Sequence, residues 1–175
     1  MTALKGRDIE AFLKLDLPDV AAVLVYGPDA GLARERADRL ASAVVADFKD
    51  PFNYIEFSDS DLKGEPGRLA DEAQALSFMG GERVIRVKGA GDAATKALEI
   101  LVAGLDKGSL KSNALVVVEA GDLAKSSALR KLFEKARAAA ALPCYADGPA
   151  DVRALALQMA AAEHLTFERD ALDLV

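Results

Sequence analysis

Two short runs of almost unbroken aliphatic residues constrain this chain more than anything else in it: Ala21–Tyr26 (AAVLVY) and Ala114–Glu119 (ALVVVE). A strand with one wet face alternates apolar and polar residues, so runs like these belong to central strands covered on both faces. Three further apolar runs read as strands: Phe52–Phe57 (FNYIEF), Arg83–Val87 (RVIRV) and Leu142–Tyr145 (LPCY). Helical periodicity lies between them. From Ala33, apolar residues recur at Ala37, Leu40, Ala41, Val44, Val45 and Phe48, with Arg34, Glu35, Asp38 and Arg39 on the other side. Leu69, Ala70, Ala73 and Leu76 mark the inward stripe of a second helix over Pro66–Leu76. Leu98, Leu101 and Val102 mark a third within Ala93–Ala103. Leu129, Leu132, Phe133, Ala136 and Ala140 face inward from a fourth over Lys125–Ala140. Strand and helix in alternation predict an α/β domain around a five-stranded, mainly parallel sheet.

The turn residues Ala146-Asp147-Gly148-Pro149-Ala150 predict a linker, followed by an Ala-rich helix over Asp151–Ala162 and a further helix opening at Thr166–Arg169. The pattern is still running at Val175, so the expectation is a fragment of a longer protein. No apolar run is long enough to cross a bilayer, the charged start MTALKGRDIEAFL is no secretory signal, and the single cysteine, Cys144, has no disulfide partner. A cytoplasmic protein is expected. The net charge is -6 and the pI about 4.9, which excludes the basic footprint of an autonomous nucleic-acid module. Aromatic residues are 6% and tryptophan is absent, so no base-stacking platform stands out.

The first strand runs through Gly27-Pro28-Asp29-Ala30-Gly31-Leu32-Ala33-Arg34 into a helix, the place where P-loop proteins hold phosphates on backbone N–H groups. The working pattern is G-x-x-x-x-G-K-[ST]. Counted from Gly27, Leu32 stands where the second Gly belongs, Ala33 replaces the Lys and Arg34 the Ser/Thr. The cation for the β/γ-phosphates and the hydroxyl for Mg²⁺ are both missing. The fourth strand ends in Glu119-Ala120, where an active NTPase carries an acidic residue for Mg²⁺ and, in the AAA+ class, a catalytic Glu after it. Glu119 is able to hold a metal, but Ala120 cannot activate water. Two readings stand side by side: a nucleotide fold that has lost its chemistry, or a domain that never had it, with an ordinary Gly-Pro-Asp turn.

Four segments resemble, in the right order, the delta subunit of bacterial DNA polymerase III. They are LVYGPDAGLARERADRL (Leu24–Leu40), DPFNYIEFSDSDL (Asp50–Leu62), LADEAQALSFMGGERVIRV (Leu69–Val87) and LVVVEAGDLAKSSALRKLFEKARAAAALPCYADGPADV (Leu115–Val152). The resemblance implies an AAA+-like, P-loop-type domain with degenerate Walker motifs over residues 1–146. The beginning of a small helical lid domain would follow over 147–175, with the helical collar domain expected to lie outside this sequence. It implies a clamp-loader subunit that binds the sliding clamp (the beta subunit) and stabilises its open interface for loading onto primed DNA during replication. ATP is then used by other subunits, so neither cofactor nor metal nor intrinsic catalysis is expected of this non-catalytic part of a DNA-directed DNA polymerase complex. The implied partners are the clamp and the other loader subunits, with DNA met mainly through the complex and no membrane contact. The competing enzyme reading is a nucleotide-dependent phosphotransferase or ATPase with an atypical phosphate loop, and a third is a regulatory interaction domain that borrowed the fold.

In that family a hydrophobic pair after the helix before the third strand enters a pocket on the clamp. By position the pair is Phe78 and Met79, with Leu76 and Gln74 as second-rank candidates. The family often has Leu then Phe at the two places; this chain has Phe then Met. The residues alone allow an outward pair without requiring it, because the helix stripe is already supplied and Gly80-Gly81 follows as a stop. An exposed apolar anchor concentrates interface energy, and Met adapts to an irregular pocket. The alternative is that both side chains cap the core. Lys125, Arg130, Lys131, Lys135 and Arg137 read first as a solvated helix face and second as a contact for DNA or a neighbouring subunit. Arg34 reads as a surface charge and Cys144 as a small buried hydrophobe. His164 has no metal-ligand pattern around it.

Overall fold

The two aliphatic runs become neighbours at the centre of a five-stranded sheet. The computed structural model describes residues 9, 12, 13, 20–77, 80–145, 157 and 160. By contacts the chain divides into two compact units, residues 1–144 and 145–175. In chain order the elements are β1 (Ala22–Tyr26), α1 (Ala30–Ser42), β2 (Tyr54–Ser58), a 3-10 turn (Ser60–Leu62), α2 (Arg68–Gln74), β3 (Arg83–Lys88), α3 (Asp92–Asp106), β4 (Ala114–Ala120), α4 (Ala128–Lys135) and β5 (Ala139–Pro143). The strand order is β2-β3-β4-β1-β5, and every pairing is parallel. The predicted α/β fold with its five-stranded parallel sheet is therefore present.

Alternate residues of each strand serve opposite layers, as the pleat requires. Leu24, Ile85, Val87, Val116 and Val118 face α2, α3 and α4, whose Leu69, Leu98, Leu101 and Phe133 fill that core. Val23, Val25, Val84 and Val117 face α1, whose Ala33, Ala37 and Leu40 lie over them. Burial on both sides is why the central strands show no alternation in sequence.

Several boundaries differ from the sequence reading: the second strand runs Tyr54–Ser58 rather than Phe52–Phe57, the second helix begins at Arg68 rather than Pro66, and the fifth strand runs Ala139–Pro143 rather than Leu142–Tyr145. The fourth helix stops at Lys135, and Ala139–Pro143 form the edge strand beside β1. Alanine is a strong helix former in isolation, but Asp106 Oδ1 accepts the N–H groups of Arg137 and Ala138, each at 2.9 Å, and turns the chain. Ala140 then packs under α1 rather than on the fourth helix, while Ala139 and Ala141 face the other layer. Helix α1 ends at Ser42; the apolar spacing continues because Val45 and Phe48 still pack on the same layer, Phe48 stacking on Tyr54 at 4.8 Å. Leu76 is not on the inward stripe of the second helix: α2 ends at Gln74, Ala75 is extended, and Leu76 is 80% exposed. The predicted linker 146–150 and the segment 161–175, including His164, lie outside the described residues. Of the helix predicted over Asp151–Ala162, Leu157 and Ala160 are described, and both are helical.

Candidate functional site

The C-terminal ends of β1 and β4 bound the crevice at which connections leave the sheet in opposite directions, toward β2 on one side and β5 on the other. Open α/β sheets bind ligands in such crevices. Gly27 N–H donates to Gly121 O at 3.1 Å, so the two candidate motifs meet there. The loop after β1 is closed from within. Asp29 N–H donates to Cys144 O at 3.3 Å, and Cys144 N–H donates to Tyr26 O at 2.7 Å. A Cβ on Gly27 would lie 2.0 Å from Cys144 O, so only glycine fits this approach. Helix α1 begins at Ala30, and Asp29 caps it by accepting the Leu32 N–H on Oδ1 at 2.9 Å. The positive end of the helix thus already faces a carboxylate of its own chain. Leu32 is half-buried against the layer under α1 and Ala33 is buried in it, while Gly31 and Arg34 are exposed.

Glu119, the candidate metal-holding residue, stands at the end of β4 on the α1 side. Its Oε1 accepts from Arg86 Nε, and Arg86 Nη1 also binds Asp38 Oδ1 of α1. Tyr54 OH accepts from Arg86 at 3.4 Å and donates to Glu56 Oε1 at 2.7 Å, which pairs in turn with Lys88 at 2.6 Å. Arg86 is 3% exposed. Burial opposes its charge, but hydrogen bonds to Glu119, Tyr54 and Asp38 outweigh that, so the guanidinium holds its proton more tightly than a free arginine. The acidic group at the Walker B position is therefore neutralised by a cation from the chain itself. Ala120 is buried in the opposite layer. Among the described residues no group of three or more His, Cys, Asp and Glu side chains is placed to hold a metal.

The second candidate region lies at the other end of the sheet, where the chain leaves α2 to enter β3. Strands of five or six residues separate the two regions by roughly 17–20 Å. Leu76 is the most exposed large apolar side chain among the described residues. Gln74 is exposed, its side-chain amide donating back to Ala70 O at 3.2 Å. Phe78 and Met79 lie outside the described residues. The end of α2 is held from outside: Arg83 Nη1 donates to Glu72 O at 2.9 Å and Ala75 O at 2.7 Å. The Asn113 N–H donates to Ala73 O at 2.7 Å and the Asn113 amide to Gln74 O at 2.6 Å. Gly80 and Gly81 take positive φ of 78° and 94°, which a side chain would strain, and carry the chain back toward β3.

The basic stretch is not uniform. Arg130 bonds Glu134 at 2.8 Å and Leu123 O at 3.2 Å and lies over the Tyr26 ring at 5.1 Å. Lys125, Lys131, Lys135 and Arg137 are exposed, and Lys125 and Arg137 fall outside α4. Cys144 is fully buried, and burial pushes its thiol pKa up. Sequence reasoning missed Arg83 and Arg86 as organising residues. The signal was present in RVIRV, since a charge inside a two-sided buried strand needs a partner in the layer it faces. Their partners, Glu72, Asp38 and Glu119, carry no local mark.

A family model described as DNA polymerase III, delta subunit, matches residues 24–143. No curated protein matches the chain. Among solved structures, the chain is similar to the Bacillus subtilis DNA clamp loader delta protein, with a TM-score of 0.65 and 22% identity over 95% of this chain and 50% of that one. It is also similar to a DNA polymerase III gamma subunit-related protein from Thermotoga maritima, with a TM-score of 0.52 and 12% identity over 86% of this chain and 49% of that one. The chain thus spans about half the length of the structures it matches. At these identities the likeness is one of fold.

Proposed function

Because the chain belongs to the DNA polymerase III delta-subunit family, we propose that it binds the sliding clamp through the segment after α2 and stabilises an open interface of the ring, while other loader subunits use ATP. The observation that carries the contact is Leu76: 80% exposed, at the end of a helix whose carbonyls are tied down by Arg83 and Asn113. A large side chain held out from a rigid base is how a small contact concentrates binding energy. Phe78 and Met79 supply the apolar pair at this place, and Gln74 lies beside it.

Two features support a subunit without catalysis of its own. Asp29 occupies the anion-attracting end of α1, and Arg86 occupies the acidic group at the end of β4. A bound nucleotide would meet a carboxylate at the helix end where a P-loop offers backbone N–H groups, and Ala33 where it offers lysine. No observation favours the phosphotransferase alternative. In this reading residues 1–146 are the clamp-binding AAA+-like domain and 147–175 begin the helical lid. DNA is met through the assembled complex, and the protein works in the cytoplasm. Among the described residues no helix is long and apolar enough to cross a membrane.

The test is a pull-down with the sliding clamp of the same organism, wild type against Phe78→Ala/Met79→Ala. Loss of capture with an almost unchanged melting temperature supports the contact. A large fall in melting temperature with capture retained assigns the pair to the core instead.

A further inference from the structure

The chain leaves the end of α2 at Ala75 and re-enters the sheet at Arg83, and the Arg83 side chain joins these two points. Arg83 Nη1 binds Ala75 O at 2.7 Å and Glu72 O at 2.9 Å, Nε binds Phe52 O at 3.1 Å, and Nη2 pairs with the Glu72 carboxylate. Arg83 therefore ties the end of α2 to the start of β3 and to the chain entering β2, while farther out Ser77 Oγ donates to Gly80 O at 2.9 Å and Gly80 N–H to Ser77 O at 3.3 Å. Arg83 is 4% exposed, so these bonds are little diluted by water. Helix α2 has seven residues, too few to hold its own shape in water. It also lacks a glycine at its C-terminus; Ala75 is simply extended there. What fixes its end is the guanidinium, helped by Asn113 on Ala73 O and Gln74 O.

We propose that Arg83 is a positioning residue for the partner contact: it orders the root of segment 76–82 before binding and so sets the direction in which Leu76 leaves the domain. This rests on the reading of that segment as the clamp contact. A root that is already ordered loses less conformational freedom on association. Arginine is required because a planar fork reaches three carbonyls and a carboxylate together, whereas lysine offers one compact charge.

The experiment compares Arg83→Gln, Arg83→Lys and Asn113→Ala with wild type in clamp binding by biolayer interferometry, in melting temperature, and in amide exchange. Arg83→Gln is expected to weaken binding about 3- to 10-fold, the range set by ordering a few side chains on association. Arg83→Lys should fail to restore it. The Ala75 amide, which donates to Asp71 O and Glu72 O at 3.2 Å, should exchange faster while those of β1 and β4 keep their protection. Should Arg83→Gln not fold, Asn113→Ala carries the test, because Asn113 is exposed and its side-chain amide releases Gln74 O. It should lose about 2- to 3-fold in affinity at an unchanged melting temperature. Wild-type affinity in a folded Arg83→Gln, or in Asn113→Ala if the former does not fold, overturns the proposal. Clamp binding retained by Phe78→Ala/Met79→Ala instead overturns the contact reading itself, so the two failures are distinguishable.

Discussion

Replacing Arg86 with methionine removes the only cation facing Glu119 and Asp38 across the layer under α1 among the contacts described. The two acids are not equivalent. Asp38 is 44% exposed at its side chain and would return to water at a cost of about 0–1 kcal/mol. Glu119 is 17% exposed and would be left largely buried without its partner. Breaking a buried pair from one side costs roughly 3–5 kcal/mol, and the partial exposure of Glu119 places the expected loss near the lower end, about 3 kcal/mol. That is a sizeable part of the roughly 5–15 kcal/mol that stabilises a domain. For a chain of this length it corresponds to a fall in Tm of about 6–12 °C. The assay is urea unfolding by circular dichroism, with an unchanged m value as the check that the unfolded ensemble is the same. Glu119→Gln and the double variant complete the cycle. Because the single Arg86 variant leaves a buried charge that the double variant lacks, the double loss should fall short of the sum by about 1–2 kcal/mol. An Arg86→Met loss under about 1 kcal/mol, or coupling near zero, would refute the claim that this arginine neutralises the end of β4.

Three further outcomes are expected. Labelled ATP with Mg²⁺ should show no micromolar equilibrium binding, because the Asp29 carboxylate holds the end of α1; micromolar binding would return the phosphotransferase reading. Gly27→Ala should destabilise by about 3 kcal/mol or more, since its Cβ would strike the Cys144 carbonyl at 2.0 Å, whereas Gly67→Ala, with open space around it, should stay within about 0.5 kcal/mol. Cys144 should react with a thiol reagent far more slowly in the native protein than in urea, with its pH dependence displaced upward, because burial favours the neutral thiol. The same sign makes its contribution to stability fully present below the ordinary thiol range and lost as pH rises through the raised value. Alkylation at the unfolded rate at neutral pH would contradict the buried placement.

Local patterns in the sequence carry the strands, the helices and the loss of the phosphate motif. The reason is that each depends on side-chain identity within a few residues: two-sided burial in AAVLVY and ALVVVE, a 3.6-residue stripe in α1, and Leu32, Ala33 and Arg34 where a P-loop needs glycine, lysine and a hydroxyl. Tertiary structure alone decided what those residues meet. Ala139 and Ala140 became strand rather than helix because Asp106 and β1 claimed that stretch, against the propensity of alanine. Leu76 left the helical stripe because Arg83 and Asn113 took the carbonyls at the end of α2. Arg86 became the counter-charge of β4 through partners 33 and 48 residues away, and Asn113 reached Gln74 across 39. Such contacts are selected by the packing of whole layers, and no window of neighbouring residues contains them.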